Sequence, residues 1–280
     1  MTVPSSERWA LILGASVGIG AAIAQVIAED PALKVLGFHR GNHPEEAQAL
    51  VDLIRSRGGE ITLCEKNAGD PETIESCVEI VKEYIPAGGI KLFVHSLSGA
   101  SLGHFLKYDN VAESDQLATW QFEKTFNYLA HSFPYWARSL HEASLLAPEA
   151  RLLGLTNALE HQMLHNCGLI AAAKAALEMY VRYLSTELGR YGHRVNLLRF
   201  GSVLTPALTK MLGPEAVREF EDVHKKLLAA GRTCKAEEVA RMVALLTRED
   251  TAWFNGATID FTGGLTQRLL DVVYSPDWLA

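Results

Sequence analysis

Short apolar runs alternate along the chain with longer stretches in which apolar residues return every three or four positions. These are the patterns of buried strands and of amphipathic helices. Trp9–Leu13 is the first run and ends in glycine-rich sequence; Ile19–Glu29 then follows helical periodicity until Asp30-Pro31 stops it. Lys34–Phe38 predicts a second buried strand, Glu45–Arg57 a helix closed by Gly58-Gly59, and Ile61–Cys64 a third strand. Pro71–Tyr84 predicts a helix with proline in its first turn, and Lys91–His95 a fourth strand. Gln121–Leu140 predicts one long helix with Phe122, Phe126, Leu129, Phe133 and Trp136 on a buried stripe. Arg151–Leu155 and Val195–Arg199 predict two more strands, flanking a helix over Ile170–Arg190 whose Ile170, Leu177, Val181, Leu184 and Leu188 share a face with Lys174. Helices over Pro214–Ala230 and Ala236–Thr247 and a short strand over Thr258–Phe261 complete the order. Strands alternating with helices predict an α/β protein with a doubly wound parallel sheet that binds ligands beyond the C-terminal ends of its strands.

Composition narrows the class without changing it. The 280 residues, 48% apolar and 21% charged, suit one packed domain spanning 1–280, with no repeat or low-complexity linker. A net charge of −7 argues against nucleic acid as a partner, since non-specific affinity for it comes from Lys and Arg neutralising phosphates. No apolar run reaches the ~18–20 residues that cross a bilayer, and Met1–Glu7 has no basic segment leading into an apolar one, so the expectation is a cytoplasmic protein with no membrane partner. Cys64, Cys77, Cys167 and Cys234 are widely separated, with no C-x-x-C pair and no His at metal-ligand spacing, which predicts reduced thiols and no metal site.

Gly14-Ala15-Ser16-Val17-Gly18-Ile19-Gly20 lies between the first strand and the first helix. Glycines there permit a tight turn and let backbone N–H groups approach a pyrophosphate, so the loop predicts a dinucleotide site in a Rossmann-type fold. The residues after the second strand select between nicotinamide cofactors: an acidic side chain accepts from a free ribose 2′-OH, whereas cations suit a 2′-phosphate. Phe38-His39-Arg40 stands there with no acidic residue before Glu45, favouring NADPH over NADH. An Arg40 that is simply a solvated loop cation would leave that choice open.

The spacing G-x-x-x-G-x-G resembles the short-chain dehydrogenase/reductase family, and later stations match over nearly the whole chain. The resemblance implies that Gly14, Ser16, Gly18, Ile19 and Gly20 hold the pyrophosphate side and that Asn67, followed by Ala68, contacts adenine. It implies that Ser96 and Leu97 line the cofactor after the fourth strand, that Lys174 binds the cofactor ribose, and that Val203 and Thr205, in Phe200–Thr205, contact the carboxamide. Asn127 matches the family's structural and proton-relay Asn. Val94-His95-Ser96-Leu97, where most members carry Asn-Asn-Ala-Gly, is similar to the enoyl-acyl-carrier-protein reductase branch.

In the family an active Tyr lies four residues before the Lys, or seven before it in the enoyl reductases; the Lys lowers the phenol's pKa and makes it a usable acid. Here those positions hold Ile170 and Cys167, and the usual Ser or second Tyr, seventeen residues before Lys174, is Asn157. Ketone reduction would then suffer, because the alkoxide needs a proton at once and a missing acid costs about 10²- to 10⁴-fold. Enoyl-thioester reduction tolerates the loss better, since its charge spreads into an enolate that hydrogen bonds can hold. Asn157, the cofactor ribose and a water on Lys174 are the candidate donors. His161 and His165 are candidate acids or exposed loop residues. Cys167 is a candidate substrate-contacting thiol or a small buried hydrophobe. Tyr180 and Tyr183 fall beyond Lys174 and read as core or subunit-contact residues.

The resemblance implies a substrate-covering segment at about 205–231, whose Met211, Leu212, Phe220, Leu227 and Leu228 suit an acyl chain or ordinary packing. Lys210, Arg218, Lys225 and Lys226 in it would meet an acidic carrier protein or phosphopantetheine, or form a solvated face. It further implies a homotetramer or homodimer. The expected function is NAD(P)H-dependent reduction of an enoyl thioester, free or carrier-bound, or of a related conjugated carbonyl in fatty acid or polyketide biosynthesis. The alternatives are a non-redox reaction (dehydration, isomerisation or cyclisation) and a catalytically inactive cofactor-binding protein.

Overall fold

The computed structural model describes residues 7–107, 115–157 and 165–265. Along the chain run β1 (Arg8–Leu13), α1 (Gly18–Ile27), β2 (Leu33–His39), α2 (Pro44–Ser56), β3 (Ile61–Glu65), α3 (Ile74–Tyr84), β4 (Ile90–His95), α4 (Thr119–Phe126) and α5 (Ser132–Glu142). After these come β5 (Leu146–Thr156), α6 (Gly168–Gly189), β6 (Arg194–Phe200), α7 (Pro206–Leu227), α8 (Ala236–Leu245) and β7 (Thr258–Phe261). The strands form a parallel sheet in the order β3-β2-β1-β4-β5-β6-β7, so the direction of winding reverses between β1 and β4. Among the described residues no helix is long and apolar enough to cross a membrane.

Successive strand residues point to opposite faces, and each face of this sheet has its own core. Leu11, Leu13, Phe38, Phe93 and Leu152 pack with Trp136 and Phe133 of α5 and with Leu177 and Val181 of α6. Ala10, Ile12, Val94, Leu153 and Leu198 pack on the other side with Ile23 and Ile27 of α1 and Val239 and Val243 of α8. Burial on both faces explains why the central strands are continuous apolar runs. Trp136 also serves the ligand edge: its ring lies 5.6 Å from Phe38 and its indole N–H donates to the Ala68 carbonyl (2.8 Å), fixing the turn after β3 from beneath.

Several predicted elements need correction. The helix expected over Gln121–Leu140 is two helices, α4 and α5, joined by a π-helical turn at Asn127–His131. A π turn admits one extra residue and rotates the helix beyond it, which a 3.6-residue periodicity does not register. The helix expected from Pro214 begins at Pro206, with the Thr205 hydroxyl accepting from Leu208 N–H (3.2 Å), and kinks at Gly213 (φ 76°) before Pro214, which has no N–H to continue the ladder. β5 starts five residues earlier than expected, at Leu146, although Glu149 has a positive φ. Pro71–Thr73 is a short 3₁₀ turn preceding α3, capped by the Asp70 carboxylate, which accepts from Glu72 N–H (3.1 Å).

At the opposite end of the sheet from the glycine loop, His193 is 6% exposed and its Nδ1 has no partner among the described residues. Burial, with the adjacent His141 and Arg194, lowers its pKa to about 4. Above pH 6.5 the imidazole is neutral folded or unfolded; as pH falls from there toward 4, only the unfolded chain takes up the proton, so stability is lost. Between pH 7 and pH 4, denaturant unfolding of the wild type should lose about 3 kcal/mol more than that of a His193→Phe variant. Equal losses would show that His193 does not titrate in this way.

Candidate active site

The glycine loop crosses the end of the sheet under tight steric limits. The N–H groups of Gly14 and Ala15 both donate to the Phe38 carbonyl (2.9 and 3.0 Å). A Cβ on Gly14 (φ 82°) would lie 2.5 Å from the Ser96 carbonyl oxygen, and one on Gly20 would lie 1.9 Å from the Gly14 oxygen. Gly18 also has positive φ (63°), but a Cβ there would sit 3.7 Å from the Thr205 side chain, an ordinary contact. α1 opens at this loop with Val17 extended, no side-chain cap and no acidic residue in its first turn, so its N-terminal N–H groups and positive dipole end suit a phosphate. Ser16 is half-buried in the loop, while the Ile19 side chain belongs to the core, leaving Ile19 only its backbone for a ligand. These residues fit a dinucleotide's pyrophosphate.

Beside this cradle, β2 and β3 deliver the residues expected at the adenosine end. The His39 Nδ1 accepts from Gly41 N–H (3.2 Å), and burial pushes its pKa down, so at neutral pH it carries no charge and Arg40 is left as the cation. Arg40 donates to the Ser98 carbonyl (3.3 Å) and lies 5.3 Å from the centre of the Tyr128 ring. The Tyr128 hydroxyl donates to the Asn67 carboxamide oxygen (2.7 Å), and the Asn67 carbonyl accepts from the Thr73 hydroxyl. Ser96 N–H donates to Leu13 (3.0 Å), while the Leu97 side chain packs against the core.

Lys174 is 8% exposed, and its ammonium donates to the Leu155 carbonyl (2.8 Å), which anchors it at the end of β5. Asn157 follows that strand directly, and the π turn that begins at Asn127 packs against α6. Cys167 is the residue before α6; burial raises its thiol pKa, making it a weak acid and a weak nucleophile at neutral pH. The His165 ring stands edge-on to that of His104 at 4.8 Å, bringing the entry to α6 against the segment after β4. His161 lies outside the described residues. His95 is buried beside this row. The Ser132 hydroxyl lies 2.7 Å from its Nε2 and 3.2 Å from the Tyr128 carbonyl, and His95 Nδ1 has no partner among the described residues. Burial, with Lys174 nearby, lowers the His95 pKa to about 3, holding it neutral.

Residues 14–266 match the family described as enoyl-(acyl carrier protein) reductase. The chain belongs to the short-chain dehydrogenase/reductase family. It is 27% identical to the short-chain dehydrogenase/reductase FrzI of Cladobotryum sp, over 92% of this chain and 96% of the relative. It is also 27% identical to the 3-oxoacyl-[acyl-carrier-protein] reductase FabG of Escherichia coli, over 91% and 96% respectively. Among solved structures, a short-chain dehydrogenase of Burkholderia cenocepacia in complex with NADP superposes with a TM-score of 0.74 at 26% identity, covering 93% of this chain and 98% of that one.

In this short-chain dehydrogenase/reductase, α7 occupies most of the stretch that the resemblance marks as substrate-covering. A wide-open cleft of about 680 Å³ is lined by Leu204, Pro206, Thr209, Pro214, Val217 and Arg218, all on α7 or just before it. Leu227 and Leu228, which suit an acyl chain or ordinary packing, pack on Leu265, and the Phe220 ring sits 4.0 Å from that of His224. Lys225 is paired with Asp222 (2.9 Å) and Arg218 lines the cleft, while the side chains of Lys210 and Met211 lie outside the described ones. Val203 is buried, and Thr205 caps α7 next to Gly18. Tyr180 is half-buried with its hydroxyl 3.0 Å from His131 Nδ1, and Tyr183 is exposed. Sequence reasoning missed Tyr128, Ser132, Ser98 and His104: none belongs to a motif, and the π turn that aims Tyr128 leaves no mark in the periodicity.

The glycine contacts predict an order of damage. Gly18→Ala should retain the fold at a cost of about 1–2 kcal/mol for the left-handed backbone, with dinucleotide binding measurable by fluorescence titration. Gly20→Ala, which forces a methyl into the Gly14 carbonyl, should abolish binding and lower the melting temperature. Wild-type binding by Gly20→Ala would contradict the loop geometry.

Proposed function

We propose that this chain is an NADPH-dependent reductase that saturates the C=C bond of an enoyl thioester, free or carrier-bound, or of a related conjugated carbonyl. The observation that carries this reading is the pairing of a complete dinucleotide cradle and an anchored Lys174 with Ile170 and Cys167 in the two places where a phenol would stand. The His95-Ser96-Leu97 pattern and the description of the matching family support the enoyl assignment. Arg40, with no carboxylate partner among the described residues, supports a 2′-phosphate. The NADP complex of the Burkholderia cenocepacia relative supports it too.

The cradle residues would hold the reduced dinucleotide, which would supply the hydride for the β-carbon. The chain's own task is then to hold the enolate oxygen and deliver a proton to the α-carbon. Asn157 offers an amide N–H at the end of β5, and the Lys174 ammonium, held by Leu155, orients a water. A half-buried thiol with a raised pKa is a poor substitute acid, so this reading gives Cys167 no part in the proton transfer. Leu204, Pro206 and Val217 give the cleft an apolar lining suited to an acyl chain, with Arg218 for an anionic head group. Assembly as a homodimer or homotetramer belongs to the same proposal.

The test is cofactor oxidation with a short enoyl thioester and with a β-keto thioester. Oxidation with the enoyl compound alone, reduced at least tenfold in Lys174→Ala, is the expected result. Tight NADPH binding with no oxidation of either favours the non-redox or inactive reading. Full turnover and unchanged affinity in Lys174→Ala would refute the role given to that ammonium.

A further inference from the structure

Arg40 carries the preference for a phosphorylated dinucleotide, yet an exposed arginine has many rotamers and loses them when it orders on a ligand. Here its guanidinium lies between the Ser98 carbonyl (3.3 Å) and the Tyr128 ring (5.3 Å to its centre). Tyr128 is itself firmly held: it is 8% exposed and its hydroxyl donates to Asn67 Oδ1 (2.7 Å). Its ring lies so close to two turns that a Cβ on Gly69 would come 2.7 Å from Tyr128 Cδ1 and one on Gly99 2.6 Å from the same atom. The π turn at Asn127–His131 directs this ring toward the ends of β2 and β3.

We infer that Tyr128 is the positioning residue that holds Arg40 for the 2′-phosphate and so sets the preference for NADPH over NADH, a claim that rests on the proposed dinucleotide function. A guanidinium over an aromatic face is attracted by the ring quadrupole and keeps its in-plane N–H groups for other partners. Ser98 takes one of the five, and the remaining fork is matched to phosphate oxygens. Through its hydroxyl, Tyr128 also fixes the Asn67 carboxamide on the adenine side, a contact that serves NADPH and NADH alike. The ring face therefore governs selectivity, whereas the hydroxyl governs affinity for both.

The experiment is fluorescence titration of NADPH and NADH against the wild type, Arg40→Ala, Tyr128→Phe and Tyr128→Leu, with circular dichroism to verify folding. Tyr128→Met, which also lacks the aromatic face, replaces the leucine variant should that one not fold. The wild type should prefer NADPH and Arg40→Ala should lose the preference. Tyr128→Leu should shrink the NADPH-to-NADH affinity ratio by roughly 3- to 30-fold, the range of a cation–π contact. Tyr128→Phe should weaken both cofactors similarly and keep the ratio within about 2-fold. A wild-type ratio in the folded leucine or methionine variant, or a preference retained by Arg40→Ala, overturns the inference while the dinucleotide reading stands. A wild type that binds both equally does the same, and one that binds neither overturns the dinucleotide reading as well.

Discussion

The closest packing constraint in the site is between backbone atoms: a side chain on Gly20 would collide with the Gly14 carbonyl, and one on Gly14 with the Ser96 carbonyl. Three segments, the end of β1, the start of α1 and the end of β4, thus meet with no room for a methyl group. That contact places the helix N-terminus over the point where the sheet's winding reverses, the crevice in which open α/β sheets bind ligands. Everything else at the ligand edge is placed relative to it. Arg40 and Asn67 come in from β2 and β3 on one side, and Asn157 and Lys174 from β5 and α6 on the other.

The two sides differ in how their polar groups are satisfied. On the adenosine side Trp136, Tyr128 and Thr73 supply donors to Ala68 and Asn67 from within the protein, which fixes the turn after β3 in advance of any ligand. On the nicotinamide side the fixed point is Lys174 on the Leu155 carbonyl, next to a buried, neutral His95 whose Nδ1 has no partner among the described residues. A cofactor half fixed from within the protein, and Ile170 and Cys167 in the two places where a phenol would stand, are consistent with chemistry whose charge is delocalised in the substrate.

Much of the fold and the candidate cofactor loop were legible in the sequence, for identifiable reasons. The strands are buried on both faces, so their apolar runs stand out, and β7 falls at the predicted Thr258–Phe261. The glycine loop is legible because its function limits residue type at fixed spacing. What escaped depends on contacts between distant segments or on irregular backbone. The break at Asn127 costs one extra residue in a helix whose apolar stripe otherwise continues, and Gly213-Pro214 reads as the start of a helix when it is a kink within one. Tyr128 comes directly after the motif residue Asn127, yet its partners Arg40, Asn67 and Gly99 come from three other loops. The hydrogen-bond partner of the His95 ring, Ser132, is 37 residues away.

The central claim is that this site delivers hydride to an alkene carbon without a tyrosine acid. A single-turnover reaction of the intact protein with NADPH deuterated at the transferring position and a short enoyl thioester tests it, with the product read by mass spectrometry and NMR. Deuterium at the β-carbon and a solvent-derived hydrogen at the α-carbon are the expected result. Deuterium on a former carbonyl carbon, or no transfer of label by a protein that binds NADPH, would contradict it.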